Sequence, residues 1–170
     1  MAHGKKQRNA FRRRRSGETD YRRRMKLLRK GAPRAVVRVS NTQVSAQLAI
    51  YNPEGDEIVA SATGNSLVGK YGWPEDMSKK SISAAYLVGF ALGKSALAAG
   101  HEDAVLDIGL SASTPGARVF AAVKGMVDAG MDIPHGESVI PDDERISGSH
   151  ISNDVSKAVD AAKAKIEGAF

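Results

Sequence analysis

Five carboxylates in the second half of the chain are the first side chains to test for catalysis: Asp103, Asp107, Asp128, Asp132 and Glu137. A metal-dependent nuclease on a mixed sheet needs several such groups converging on one strand end, where they hold the ions that activate water and stabilise the leaving oxygen. A nuclease of the ribonuclease H type would use Asp107 and Asp128 with magnesium. Asp107 lies in a strand-like run, but the strands beside it do not complete the set. The first offers Arg34 and Arg38, the second Gln43 and Gln47. Paired or exposed carboxylates are therefore the better reading. His3, His101, His135 and His150 are scattered, with no metal-ligand spacing among them. There is no Gly-x-Ser-x-Gly elbow. Gly89 to Ser95 (GFALGKS) ends like a phosphate-binding loop, but only three residues separate its glycines and it falls inside a helical pattern. With no cysteine in the chain, disulfides, thiolate metal sites and a thiol nucleophile are all excluded. No cofactor and no metal are expected.

The other chemistry on offer is anion binding. Ser111-Ala112-Ser113-Thr114-Pro115-Gly116-Ala117-Arg118 runs from a strand into a helix start. Small hydroxyl residues, a glycine and the free backbone donors of a helix N-terminus suit a phosphate, and Arg118 adds a cation; the competing reading is an ordinary capping loop. A dinucleotide cofactor would also need a Gly-x-Gly-x-x-Gly pattern and an acidic ribose partner, both missing.

Far stronger is the charge at the N-terminus. Residues 1–34 hold fourteen Lys and Arg against Glu18 and Asp20, a net +12. Of 25 basic and 19 acidic residues in all, this leaves 11 against 17, or −6, for residues 35–170. Such an arm repels itself unless paired, so a polyanion is its natural partner rather than water alone. Arginine outnumbers lysine in it ten to four. Guanidinium offers planar, bidentate donors to phosphate and stacks on bases, which favours nucleic acid. Phe11, Met25, Leu27 and Leu28 are too few bulky apolar residues to make the arm a membrane-surface helix. No segment approaches the roughly 20 apolar residues of a membrane span. No apolar stretch follows the first basic residues as in a secretory signal, so the chain is expected to stay in the cytoplasm.

The elements that would position these groups follow from periodicity. Thr19 or Asp20 caps a helix from Tyr21 to Lys30 ended by Gly31, with Met25 and Leu28 toward the body. Residues 34–40 and 43–51 form a hairpin about Asn41-Thr42, and 57–63 a third strand after the turn Asn52 to Asp56. In the second strand Val44, Ala46, Leu48 and Ile50 share one face and Gln43, Ser45, Gln47 and Ala49 the other, leaving a polar face that is open or covered by something polar. Residues 64–80 read as a polar connection. Ser81 to Ala99 has helical spacing, with Gly89 and Gly93 four apart for close packing on the sheet. Asp103–Leu110 reads as a buried strand, Ala117–Ala129 as a helix, Met131–Pro134 as a last short strand, and Asn153–Ala169 as a helix. The fold expected is α/β: a mixed sheet with an N-terminal antiparallel meander and packed helices. The chain is expected to divide into a basic arm (1–33), an α/β domain (34–136) and a C-terminal extension (137–170).

Four stretches, in order, carry a resemblance. They are Thr19–Arg38 (TDYRRRMKLLRKGAPRAVVR), Ser40–Gln47 with Tyr51–Gly55 (YNPEG), Ala84–Ala96 with Ala104–Leu110, and Thr114–Pro141 (TPGARVFAAVKGMVDAGMDIPHGESVIP). With the archaeal-style extension Asp142–Ile151, this set resembles the archaeal and eukaryotic branch of large-subunit ribosomal protein eighteen, the 5S-rRNA-binding family. The match spans about Ala10 to Ile151; the Ala-rich segment after Ile151 lies outside it.

The resemblance implies a ribonuclease H-like topology without the catalytic site. It also implies a non-enzymatic protein bound to 5S rRNA, large-subunit rRNA and a second 5S-binding ribosomal protein in the central protuberance, with no membrane or small-molecule partner. The RNA-binding residues it implies are Arg12, Arg13, Arg14, Arg15, Arg22, Arg23, Arg24 and Lys26 in the arm. To these it adds Arg38, Ser40, Asn41, Gln43 and Gln47 on the polar face and hairpin, and Ser113, Thr114, Gly116 and Arg118 in the loop. Binding of this kind weakens steeply with salt, reads RNA shape and 2′-hydroxyls, and orders the arm on contact.

Overall fold

The computed structural model describes residues 9–170; Lys5, Lys6 and Arg8 of the expected arm lie outside the described residues. Two short helices, α1 (Arg12–Arg15) and α2 (Tyr21–Leu28), precede three antiparallel strands, β1 (Arg34–Val39), β2 (Val44–Ile50) and β3 (Glu57–Thr63). There follow α3 (Gly64–Tyr71), α4 (Ile82–Ala98), β4 (Val105–Asp107), α5 (Arg118–Asp128), a 3-10 turn (Glu137–Val139), α6 (Asp143–Ser147) and α7 (Asn153–Glu167). The sheet order is β3-β2-β1-β4, with β4 parallel to β1, so the fold is α/β with a mixed four-stranded sheet.

Period-two alternation sorts the sheet into two faces. Ala35, Val37, Val44, Ala46, Leu48, Ala60 and Ala62 are buried beneath α4 and α5. On the opposite face, Val36, Gln47 and Ser61 lie in one cross-strand row and Arg38, Ser45 and Thr63 in the next. Gln47, Ser61 and Arg38 are exposed, as the alternation predicts.

Most of α4 is buried, and its glycines serve a different neighbour from the one expected. A Cβ on Gly89 would overlap the carbonyl of Ala122, one on Gly125 the carbonyl of Tyr86, and one on Gly93 would come to 2.6 Å from the Ala129 Cβ. The glycines therefore let α4 and α5 meet backbone to backbone; packing on the sheet is left to other residues of α4.

Four further expectations are corrected. Residues 64–80 are not all connection: α3 is started by a reciprocal cap, in which Ser66 N–H donates to the Thr63 hydroxyl and Thr63 N–H to the Ser66 hydroxyl, and is ended by Gly72 at φ 69°. The last strand shrinks to a single bridge between Asp103 and Asp132. Met131 N–H is spent on the Met126 carbonyl, the Ile133 carbonyl is bonded to the His135 ring and Pro134 has no N–H, so the pairing is confined to Asp132. β4 is three residues long because Gly109, at φ 63°, turns the chain and donates its N–H to the Asp107 carboxylate at 2.9 Å. In α2, which stops at Leu28, Leu28 faces the body as expected, but Met25 is 63% exposed and Arg24 and Leu27 take its place.

The expected C-terminal helix is present as α7. Val159, Ala162 and Ile166, spaced three and four apart, are buried. α7 packs on α3 and α4, with the Lys165 side chain beside Gly72 at the C-terminal end of α3, where a cation is favoured.

Candidate nucleic-acid interface

The arm is joined to the open sheet face by an arginine–carboxylate chain. Arg34, only 2% exposed, sends Nη1 to Asp107 Oδ2 at 3.0 Å and Nη2 to Asp56 Oδ2 at 2.5 Å. Arg38 Nη2 reaches Asp107 Oδ1 at 2.9 Å, and its Nη1 donates to the Asp107 and Val37 carbonyls. From α2, Arg24 pairs with Asp56 at 2.9 Å and Arg23 donates to the Gly109 carbonyl. Asp20 caps α2 by accepting from Arg22 and Arg23 N–H, which holds its carboxyl below the ordinary range, the Arg23 N–H contributing most. Burial alone would raise the Asp107 carboxyl, but the Arg38 charge, the Gly109 N–H and the bonds from Arg38 and Arg34 together hold it low.

These contacts revise the expectation that the whole arm orders only on contact with RNA. α2 is capped and pinned to Asp56 and Gly109 within the chain itself. α1 is another matter: Arg12 to Arg15 are exposed, and Arg13 alone of the four has carboxylate company, Glu18 at 3.6 Å, with Thr19 Oγ1 also accepting from its Nε at 3.0 Å. Among the described residues of the arm, Arg12, Arg14, Arg15, Arg22, Lys26, Arg29 and Lys30 have no carboxylate partner and no engaged side chain. Seven cations therefore remain available to phosphate.

The hairpin and the loop are brought together by a residue that the sequence reading missed. Lys80 Nζ donates to the Asn41 carbonyl at 2.7 Å, while the Lys80 carbonyl accepts from Arg118 Nη1 at 3.5 Å. Next to it, Lys79 Nζ donates to Asn65 Oδ1. The tandem Lys79-Lys80 just before α4 was the available signal. Ser40 shapes the hairpin, its hydroxyl accepting from Thr42 and Gln43 N–H. Asn41 and Gln47 are exposed; Gln43 is half-buried, with its side-chain oxygen accepting from Asn65 N–H, so only its amide NH2 is left for a partner. Ser113 and Thr114 are exposed, and Gly116, at φ 72°, donates to the Val139 carbonyl. α5 begins at Arg118, with Ala117 as an N-cap that offers no side-chain cap; Ala117 and Phe120 N–H go to the Thr114 and Ala117 carbonyls, which leaves the Arg118 and Val119 N–H groups uncapped.

The catalytic alternative does not assemble. Both oxygens of Asp107 are held by arginines, and those of Asp128 by the Tyr86 hydroxyl at 3.0 Å and Lys124 at 2.9 Å. Burial and then the Asp128 charge push the Tyr86 hydroxyl up, and the bond to Asp128 raises Lys124. No group of three His, Cys, Asp or Glu suited to a metal occurs among the described residues, and none of their helices is long and apolar enough to cross a membrane.

The chain matches, over residues 5–103 and 98–136, the family model described as ribosomal large subunit proteins 60S L5 and 50S L18. It is 50% identical over 152 residues to large ribosomal subunit protein uL18 of Methanoculleus marisnigri, covering 89% of this chain and 85% of that one. The chain belongs to this family. The uL18 proteins of Methanothermobacter thermautotrophicus (51% identical, 89% of this chain and 77% of that one) and Methanobrevibacter smithii (49%, 90% and 78%) agree. As a uL18-family member it is a structural, non-enzymatic constituent of the large ribosomal subunit, associated with rRNA and ribosomal proteins.

Proposed function

We propose that the chain binds 5S rRNA and helps to anchor it to large-subunit rRNA in the central protuberance, beside a second 5S-binding ribosomal protein, on the ribosome in the cytoplasm. The observation that carries this reading is the pinning of α2 by Arg24–Asp56 and Arg23–Gly109. It sets the unpartnered arm cations next to an open polar sheet face whose exposed members include Arg38 and Gln47. A cationic and hydroxyl-rich surface of this kind suits folded RNA, whose phosphates and 2′-hydroxyls it meets without reading base sequence. The contacts proposed are the arm residues Arg12–Arg15, Arg22–Arg24 and Lys26, the face and hairpin residues Arg38, Ser40, Asn41, Gln43 and Gln47, and the loop residues Ser113, Thr114, Gly116 and Arg118. Residues 1–33 then work as the arm, 34–136 as the RNA-binding body and 137–170 as the extension. The mixed sheet with its antiparallel meander also supports a kinship in topology with ribonuclease H.

The test is gel-shift titration of a 5S rRNA transcript with the full chain and with residues 1–24 deleted. Deletion is expected to weaken binding by 100-fold or more, on the order of what losing several charge-assisted phosphate contacts costs. Unchanged affinity would reject the arm as the grip.

A further inference from the structure

Between α2 and the turn after β4 lies a cleft of about 780 Å³, within the roughly 300–1,000 Å³ range of small-ligand sites. Its wall on the arm side is Arg13, Thr19, Tyr21 and Arg23; on the sheet side it is Arg38 and Ile108 to Ser111. The acidic groups along it are already engaged: Glu18 with Arg13 and Ser16, Asp20 with the α2 backbone, Asp107 with Arg34 and Arg38. What the cleft presents is therefore cationic and hydroxylic, with one aromatic surface and the aliphatic side chains of Leu27, Ile108 and Leu110. Tyr21 is half-exposed, and its ring stands 5.0 Å from that of Phe11, which is 66% exposed. In a chain with only 5% aromatic residues, two are placed among the arm's arginines.

Gly109 keeps the floor open. Its φ of 63° favours glycine, and a Cβ there would lie 2.9 Å from Arg38 Cζ, so the guanidinium lies directly over the backbone of this turn. Even so, Arg38 keeps its Nε–H and one Nη2–H free, since its recorded bonds use Nη1 twice and Nη2 once.

We propose that this cleft takes a single unpaired nucleotide of the bound RNA, its base against the Tyr21 ring and its phosphate among Arg13, Arg23 and Arg38. The inference rests on the RNA-binding reading above and adds a site to it. Unpaired bases splay out and stack on aromatic or guanidinium planes, whereas a duplex keeps its bases inside and is too wide for the cleft. The Ser111 hydroxyl and the Thr19 side chain are the polar groups placed at the rim to meet a base edge or a 2′-hydroxyl.

The experiment compares Tyr21→Leu and Tyr21→Phe in the full chain, with a 5S rRNA transcript and a fully paired RNA duplex of equal length as probes. Stacking one base predicts that Tyr21→Leu weakens 5S binding about tenfold and leaves duplex binding unchanged, while Tyr21→Phe retains wild-type affinity for both. Circular dichroism melts establish that each variant is folded, and a Phe11→Leu, Tyr21→Leu double variant removes any substitution of one ring for the other. Equal affinity of wild type and the double variant for 5S rRNA overturns the cleft site, as does an equal loss on both probes. If deletion of residues 1–24 also left 5S binding intact, the broader RNA reading would be what had failed.

Discussion

Replacing Asp107 by Asn removes a charge from a position where two arginines converge. Arg34 is 2% exposed and Asp107 6%, so the pair is shielded from water, while Arg38 keeps 45% of its side-chain surface and solvates itself more readily. Breaking a buried pair on one side costs roughly 3–5 kcal/mol, because the remaining charge is stranded. Arg34 still has Asp56, so the lower end applies, about 3 kcal/mol. For a chain of this size that corresponds to a fall in Tm of about 6–12 °C. The pH dependence has a defined sign. The folded carboxyl of Asp107 is held below its unfolded value, about 3.9, so its contribution is complete above that pH and is lost as pH falls through the folded value. The gap between wild type and Asp107→Asn should therefore be constant from pH 8 to 5 and close only under about pH 3.9. Thermal melts by circular dichroism across this range measure it. A variant that melts within about 1 °C of wild type at pH 7 would refute the argument that the network is a buried electrostatic joint.

Four other outcomes follow from the same structure. Replacing Arg12 to Arg15 by Ala should flatten the slope of log K against log salt for 5S rRNA by about 3, since each phosphate contact contributes roughly 0.7–0.9; a slope that does not change means these residues touch no phosphate. Gly89→Ala should destabilise the chain by at least about 2 kcal/mol in urea titration despite its better helix propensity, because the Cβ meets the Ala122 carbonyl. Gly69→Ala, with open space around its Cβ, should stabilise α3 by about 0.5–1 kcal/mol. Ile166→Ala, at a fully buried position of α7, should cost about 3 kcal/mol, and an effect under about 1 kcal/mol would show that α7 is not part of the cooperative unit.

Much of the architecture is legible in the sequence because its signals are periodic and local. The alternation Val44, Ala46, Leu48 against Ser45, Gln47 sorted β2 correctly as far as Leu48; beyond the register shift there Ala49 is buried and Ile50 half-buried, the reverse of the expected pattern. Asp20 before Tyr21 marked a true helix start. The failures share a cause, the dependence of the answer on a partner distant in sequence. Met25 and Arg24 both fit a helix face, and it is Asp56, 32 positions from Arg24, that turns the arginine inward. Gly89 and Gly93 announced a close approach, but only the fold names α5 as the neighbour. α3 was overlooked because its cap uses Ser66 where the usual reciprocal partner is Glu or Gln. As for the candidate interface, its charged half was visible as composition. The cleft was not, since residues 13–24 and 107–111 meet only after β4 has paired beside β1. Lys80 escaped notice for the same reason, its two contacts lying 39 and 38 positions away.

The fastening of α2 to Asp56 and Gly109 changes the statistics of encounter. Only five residues separate Arg15 from Tyr21, a tether that spans at most about 20 Å when fully drawn out. Once the sheet face has met an RNA, the four arginines of α1 are confined within that radius of it rather than arriving from the solution. Their effective concentration at the second contact is then on the order of millimolar. A weak touch at the sheet is thereby converted into a slow-leaving complex without any new bond being required of either site alone.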